Sequence, residues 1–372
     1  MSSEADNNAS AGSESENTDG LGTQFFASVT GLKNFGNEAV GVVTINKGSE
    51  DSGFSVHPLS VLPQNGPHMY LPSVLIHELI HAYGMLTDVY GDDEGRYGFG
   101  EELIPFEAGL RDVFGNPAAG SKEFNLIRSE SGAFTEEFIK TQEEAGQFNL
   151  LFRESSGGVS FAGEHVNELI DENVRIYNAD TVIVDADGKL VEGDMTNSVV
   201  GGIPINGLEI AGNGKDFDIE LSHLELQNSF LSHQNWRNWS TLMEAEMAFL
   251  QDLGFKFDRK RFFGTSLYDN DKSVDITQAF TQRNEGDWVE NTPSTQAFAI
   301  GTHIYGSLNT VNVKADQLAD GTASIGVRVD GIMNDLTVEE GVKVSANGQG
   351  GLGRSLYIRA QPHFDTSRKC CY

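Results

Sequence analysis

An α+β chain in two parts is what this sequence predicts, on three observations. A front region mixes strand-like with helix-like segments, and one of its helices carries the run His77-Glu78-Leu79-Ile80-His81. After about Arg261 the texture changes to Gly, Asn and β-branched residues with no helical period. This back region also repeats, Ile300-Gly301 recurring as Ile325-Gly326 at an offset of 325 − 300 = 25 residues. The organisation read from these features is an acidic leader over 1–22, a front domain over 23–258 with an insertion at about 90–220, and a parallel β-helical segment over 259–372.

The leader contains Glu4, Asp6, Glu14, Glu16 and Asp19 and neither Lys nor Arg. It lacks the positive start and apolar middle of a signal peptide. Too little apolar surface is present to offset the entropy of ordering it, so disorder is expected. Val40 to Ile45 reads as a short β-branched strand, and Thr181 to Val184 as another. Leu71 to Leu86 reads as a helix with Pro72 near its start and Gly84 near its end. A second helix runs from about Thr241 to Leu253; Thr241 and Glu244 have capping-box spacing and Gly254 stands at the C-terminal cap. Its apolar stripe of Leu242, Met243, Ala245, Met247, Phe249 and Leu250 is the mark of core packing.

In the back region the 25-residue offset extends to Ile304 and Val329, Gly306 and Gly331, Asn309 and Asn334, Val311 and Leu336, and Val313 and Val338. Such a period suits one coil of a parallel β-helix, with stacked apolar residues inside and Asn or Gly at corners. Gly348, Gly350 and Gly353 form a G-x-G-x-x-G string without the strand-turn-helix setting of a dinucleotide site, so they read as corner glycines.

Composition excludes several functions. Lys plus Arg is 25 against 55 Asp plus Glu, a net charge of −30 that repels nucleic-acid phosphates and anionic lipid. No apolar run is long enough to cross a bilayer. The two cysteines, Cys370 and Cys371, are adjacent at the C-terminus, where a bridge would be strained and staple nothing. Neither a G-x-S-x-G elbow nor a phosphate loop is present.

What remains is H-E-x-x-H. On a helix, positions i and i+4 share a face, so His77 and His81 can reach one ion while Glu78 addresses a water. Val74, Leu75, Ile76, Leu79, Ile80, Ala82 and Tyr83 make the helix apolar nearly all round, which implies burial. Buried imidazoles and a buried carboxyl without partners cost several kcal/mol, and a divalent ion removes that cost. A catalytic zinc needs a third protein ligand and one open position. In metzincin peptidases a Gly follows the second His by three residues and a third His follows that Gly by three. Gly84 meets the first condition, but Thr87 occupies the second position, with Asp88 one residue late as a minor candidate. Asp92, Asp93 and Glu94 lack EF-hand spacing and read as a solvated loop.

Ser222-His223-Leu224-Glu225 followed by Ser229-Phe230-Leu231-Ser232-His233 resembles the downstream half of leishmanolysin-like metzincins, in which a long insertion precedes the third His and a Met-turn follows it. More broadly the chain resembles zincin domains at the front of bacterial autotransporter-type surface proteins, followed by a right-handed β-helical passenger. VLIHELIHAYGM at 74–85, GIPINGLEI at 202–210, LSHLELQNSFLSHQNWRNW at 221–239, MEAEMAFLQDLGF at 243–255, RFFGTSLY at 261–268 and IGVRVDGIMNDLTV at 325–338 carry the likeness. The resemblance implies His223 as third zinc ligand; His233 is its rival among the remaining histidines, with His165 and Asp88 as lesser candidates. It also implies Leu231 at the Met-turn position. The implied activity is a zinc endopeptidase acting on a protein or peptide, with Glu78 as general base; an oxyanion donor is not identified by the sequence, Tyr83 and His233 being the candidates. The implied location is extracellular or the bacterial cell surface, with the chain a trimmed passenger. The rival expectation is a β-helical surface adhesin whose zincin-like domain is structural or inactive.

Overall fold

The computed structural model describes residues 9–12, 27, 32–34, 36, 39–45, 54–55, 69–87, 89–91, 97–112, 115–120, 124–128, 148–152, 159–170, 183–184, 190–192, 202–205, 209–210, 217–219, 221–226, 229–232, 241–331, 334–349 and 356–358. The protein is α+β and divides into two compact units, Met1–Phe257 and Asp258–Tyr372. Among the described residues no helix is long and apolar enough to cross a membrane. Asp88, the acidic run 92–94, His233, Gly350, Gly353 and both cysteines lie outside the described residues.

In the first unit, helix α1 spans Leu71–Ala82, four residues shorter than the expected Leu71–Leu86. Pro72 sits in the first turn, where its missing N–H is no loss. Gly84 ends the helix at φ +121, and two backbone bonds close it: Gly84 N–H to His81 C=O at 3.0 Å and Met85 N–H to Ile80 C=O at 3.4 Å. This is the Schellman pattern, which turns Met85 and Leu86 away from the helix axis. No residue of α1 is exposed.

Strand β1, Ala9–Gly12, pairs antiparallel with β2, Val42–Ile45, beside α1. Four residues of the leader expected to be disordered are therefore ordered. Their physical role is to satisfy the backbone N–H and C=O groups along one edge of β2, which no side-chain hydrophobicity signals. Of the expected strand Thr181–Val184, Ile183–Val184 pairs antiparallel with Leu190–Glu192.

A three-stranded antiparallel sheet supports the rest of the unit. Strand β4, Val159–Phe161, lies between β3, Leu110–Arg111, and β5, Ile203–Ile205. All three strands come from the stretch read as an insertion, so that stretch supplies core structure. The short helix α2, Pro105–Ala108, precedes β3 in sequence, the short helix α3, Glu164–Asn167, follows β4, and helix α4 spans Glu244–Asp252. Phe106, Phe161 and Phe249 bring α2, β4 and α4 together, with ring centroids 4.8–5.7 Å apart. Asp252, at the end of α4, accepts the backbone N–H groups of His165 and Val166 at 2.8 and 2.9 Å and so caps α3. The N-terminus of α4 departs from the expected Thr241/Glu244 box: Met243 precedes the helix, and Glu246 reaches back to its N–H at 2.8 Å. At the other end Gly254, at φ +110, closes α4 with a second Schellman pair to Gln251 and Leu250.

The second unit is built from parallel sheets. One contains β6 (Phe263–Leu267), β10 (Ile300–Ile304), β13 (Ile325–Val329) and β16 (Leu356–Ile358); another contains β7 (Ser273–Ile276), β11 (Thr310–Val313) and β14 (Asp335–Val338). A third joins β12 (Gln317–Leu318) to β15 (Val344–Ser345). The register pairs Ile300 with Ile325, Ile304 with Val329, Val311 with Leu336 and Val313 with Val338, all at the 25-residue offset of the sequence repeat. The preceding pass is longer: Phe263 pairs with Ile300, an offset of 300 − 263 = 37. The antiparallel hairpin of β8 (Arg283–Asn284) and β9 (Asp287–Trp288) lies within that longer pass, which is why the repeat is invisible there in sequence. Ile276, Ile304, Val311, Val313, Val327 and Val329 form the interior between the sheets. Gly301 faces the backbone of Gly326, with a would-be Cβ 2.6 Å from its carbonyl oxygen, so only glycine allows the strands to stack there.

Candidate metal centre

Helix α1 brings His77 and His81 to one face, one turn apart. His223 comes from the segment Leu221–Leu226, which extends the β3–β4–β5 sheet. Leu224 bridges Ile205 antiparallel, and Glu225 N–H donates to Pro204 C=O at 2.8 Å. The chain then turns back through Ser229–Leu231, Leu224 N–H donating to Leu231 C=O at 3.1 Å. Sheet register and this turn together deliver His223 to α1.

The three imidazoles converge through one nitrogen each. Nε2 of His77 lies 3.1 Å from Nε2 of His81 and 3.2 Å from that of His223, and the third side of the triangle is 3.3 Å. Each Nδ1 turns outward to an oxygen: His77 to Phe230 C=O at 2.5 Å, His81 to Met85 C=O at 2.9 Å, His223 to Ser222 Oγ at 3.1 Å. A carbonyl only accepts, so Nδ1 carries the proton in His77 and His81, and their Nε2 atoms present lone pairs. Burial, reinforced by the neighbouring His81, lowers the His77 imidazole to about 4 against the opposing pull of the Phe230 carbonyl. The ring is therefore neutral near pH 7.

Lone pairs facing one another at this separation repel unless a cation stands between them. A tetrahedral ion with imidazole nitrogens at about 2.0–2.1 Å separates neighbouring ligand nitrogens by about 3.3–3.4 Å. The observed triangle fits a single metal ion, and three protein ligands leave a fourth position for water or substrate. Glu78, adjacent to His77 and buried, has its carboxyl raised to about 7 by that burial.

His77, His81 and His223 are the one such ligand group among the described residues. His165 is elsewhere, on α3, with its ring 3.7 Å from Glu168. Tyr83 packs its ring edge-on against Phe255 at 5.2 Å, at the C-terminal ends of α1 and α4. Leu231 is fully buried, and its N–H donates to Glu246 Oε1 at 3.0 Å. Sequence reasoning missed the groups that the rings contact: the carbonyls of Phe230 and Met85 and the Ser222 hydroxyl; it also missed the Glu246 carboxylate that accepts the Leu231 N–H. Ser222 was visible as the neighbour of His223, and Met85 followed from Gly84 ending the helix. The others depend on contacts far apart in the chain. Comparison with known protein families, curated proteins and solved structures finds no match for this chain.

Proposed function

We propose that this protein is a zinc-dependent endopeptidase of the zincin type. The observation that carries the reading is the convergence of three imidazoles through Nε2, two of them on an H-E-x-x-H helix. Zinc is the ion that best suits an all-imidazole tetrahedral set with one open position. When bound, it supplies Lewis acidity that polarises a peptide carbonyl and makes a water more acidic.

The chain's own residues do the rest. His77, His81 and His223 hold the ion, and their Nδ1 contacts keep the rings aimed at it. Glu78 takes a proton from the attacking water at a carboxylate oxygen and delivers it to the departing amine nitrogen. A carboxyl raised to about 7 by burial both accepts and returns a proton near neutral pH.

The stacked parallel sheets of the second unit support a parallel β-helix, which we take as right-handed, in keeping with the resemblance to the passengers of bacterial surface proteins. Export to the cell surface belongs to the same proposal, with a protein or peptide as substrate.

The test is cleavage of casein or a peptide library by the full chain. Activity lost on chelation, restored by zinc and reduced at least about 100-fold in Glu78→Gln with zinc retained supports the reading. Zinc bound without any cleavage favours the structural, adhesin-type alternative. Full activity in Glu78→Gln overturns the assigned base.

A further inference from the structure

The turn Ser229–Leu231 bonds, through its backbone, one ligand directly and the chain neighbour of a second. Its Phe230 carbonyl accepts from His77 Nδ1–H at 2.5 Å, and its Leu231 carbonyl accepts the N–H of Leu224, next to His223. The peptide group joining Phe230 to Leu231 has a second end, the Leu231 N–H, which donates to Glu246 Oε1 at 3.0 Å. One planar peptide thus stands between a carboxylate and an imidazole, held at both ends.

We infer that Glu246 is a positioning residue for the metal centre, acting on His77 through the Phe230–Leu231 peptide. The inference rests on the zinc reading above and deepens it. The physical argument is polarisation. A carboxylate accepting the N–H pushes electron density toward the carbonyl oxygen, which strengthens its bond to His77 Nδ1–H. That bond fixes the tautomer and makes Nε2 a better donor, as an outer-shell carboxylate does when it contacts a ligand histidine directly. The interposed peptide adds rigidity, since ω does not rotate. Capping alone does not explain the arrangement. Glu246 Oε2 already serves the Met243 N–H at 2.8 Å, three residues away, whereas Oε1 crosses fifteen positions to Leu231. Glu246, Leu231, Ser229 and Ser232 are all essentially inaccessible to water, so the carboxylate's effect is not screened. His81 has a separate partner, Met85 C=O, and provides an internal control.

The experiment uses the full chain, zinc-free and zinc-loaded, uniformly ¹⁵N-labelled. In Glu246→Gln the His77 Nδ1–H signal moves upfield and exchanges faster with water, while the His81 signal keeps its position. Zinc affinity, measured by chelator competition, falls about ten- to hundredfold. An unchanged His77 signal, or equal movement of His77 and His81, overturns the inference, the second outcome marking a general loss of structure. Should Glu246→Gln fail to fold, the unaltered chain still decides. On zinc loading, the Leu231 amide proton shifts more than that of Met243, which bonds the other oxygen of the same carboxylate. Equal shifts overturn the relay. If the unaltered chain binds no zinc, the zinc reading fails by itself, and the zinc-free His77 signal in Glu246→Gln still tests Glu246.

Discussion

Nε2 of His81 and Nε2 of His223 lie 3.3 Å apart although 142 residues separate them in the chain. Each ring takes its outward contact from nearby in sequence, His81 from Met85 C=O and His223 from Ser222 Oγ. The long-range contact is therefore left to the converging Nε2 atoms. His223→Ala is expected to reduce zinc from about one ion per chain to near none, because two imidazoles alone hold it weakly. His233→Ala is expected to leave the stoichiometry intact. Metal analysis of dialysed protein reads both, and equal losses would reject His223 as the specific ligand.

Gly84 connects helix termination to ligand orientation. Its φ of +121 is open to glycine and disfavoured for other residues, although a Cβ there would meet nothing closer than Leu253 Cδ1 at 3.9 Å. Gly84→Ala is expected to cost about 1 kcal/mol in stability. It also moves the Met85 carbonyl away from His81 Nδ1, so zinc affinity falls with it. Gly286→Ala is the matched comparison, at φ +91 in the β8–β9 hairpin with open space around it. It should cost similar stability in the second unit and leave zinc binding unchanged.

Stacking of the parallel strands predicts a steric rather than conformational penalty at Gly301. An added methyl meets the Gly326 carbonyl oxygen at 2.6 Å and Gln317 Cβ at 3.0 Å. Gly301→Ala should destabilise the second unit by about 1–3 kcal/mol. Ile304→Ala, in the interior between the sheets, should cost about 2–5 kcal/mol by leaving a cavity. Urea-dependent hydrogen exchange of β10 and β13 amides measures both.

A buried ion cluster in the same unit predicts acid sensitivity. Asp330 Oδ2 receives Arg328 Nε at 2.6 Å and His303 Nε2 at 2.9 Å. Burial raises the Asp330 carboxyl, but the Arg328 charge and the His303 hydrogen bond outweigh it and hold it at about 2. An unfolded Asp titrates near 4, so the folded form is favoured while the carboxylate is charged. That stabilisation, about 2–3 kcal/mol, is complete above pH 4 and is lost as pH falls from 4 to 2. Asp330→Asn should flatten the profile across this window and lower stability at neutral pH, where Arg328 and His303 lose a shared anionic acceptor. An unchanged acid profile in that variant would assign the acid sensitivity elsewhere.

Periodic and local features were legible in the sequence. The H-E-x-x-H spacing puts two imidazoles on one helical face whatever surrounds it. Gly84 and Gly254 mark helix ends because each meets the same need for positive φ. The 25-residue recurrence of Ile300, Val311 and Val313 fixes strand register, since stacked strands repeat their interior residues. Where local rules were applied too locally they slipped. The helix beginning at Leu71 stops at Ala82, and the box read at Thr241 and Glu244 is made by Glu246 reaching back to Met243. The leader's composition gave no sign that Ala9–Gly12 pairs with Val42–Ile45, because backbone pairing needs no apolar side chain.

The sequence by itself determined which residue types could hold a cation and where the chain repeats, because helical and stacked-strand periodicities are short-range geometry. Only the tertiary structure decided that His223 joins His77 and His81, and that the Phe230 carbonyl sets the His77 tautomer. Those choices depend on a sheet edge at Ile205, a turn at Ser229–Leu231 and a carboxylate from another helix. Each is a contact between distant segments, made when the chain closes around its core, and no spacing rule encodes it.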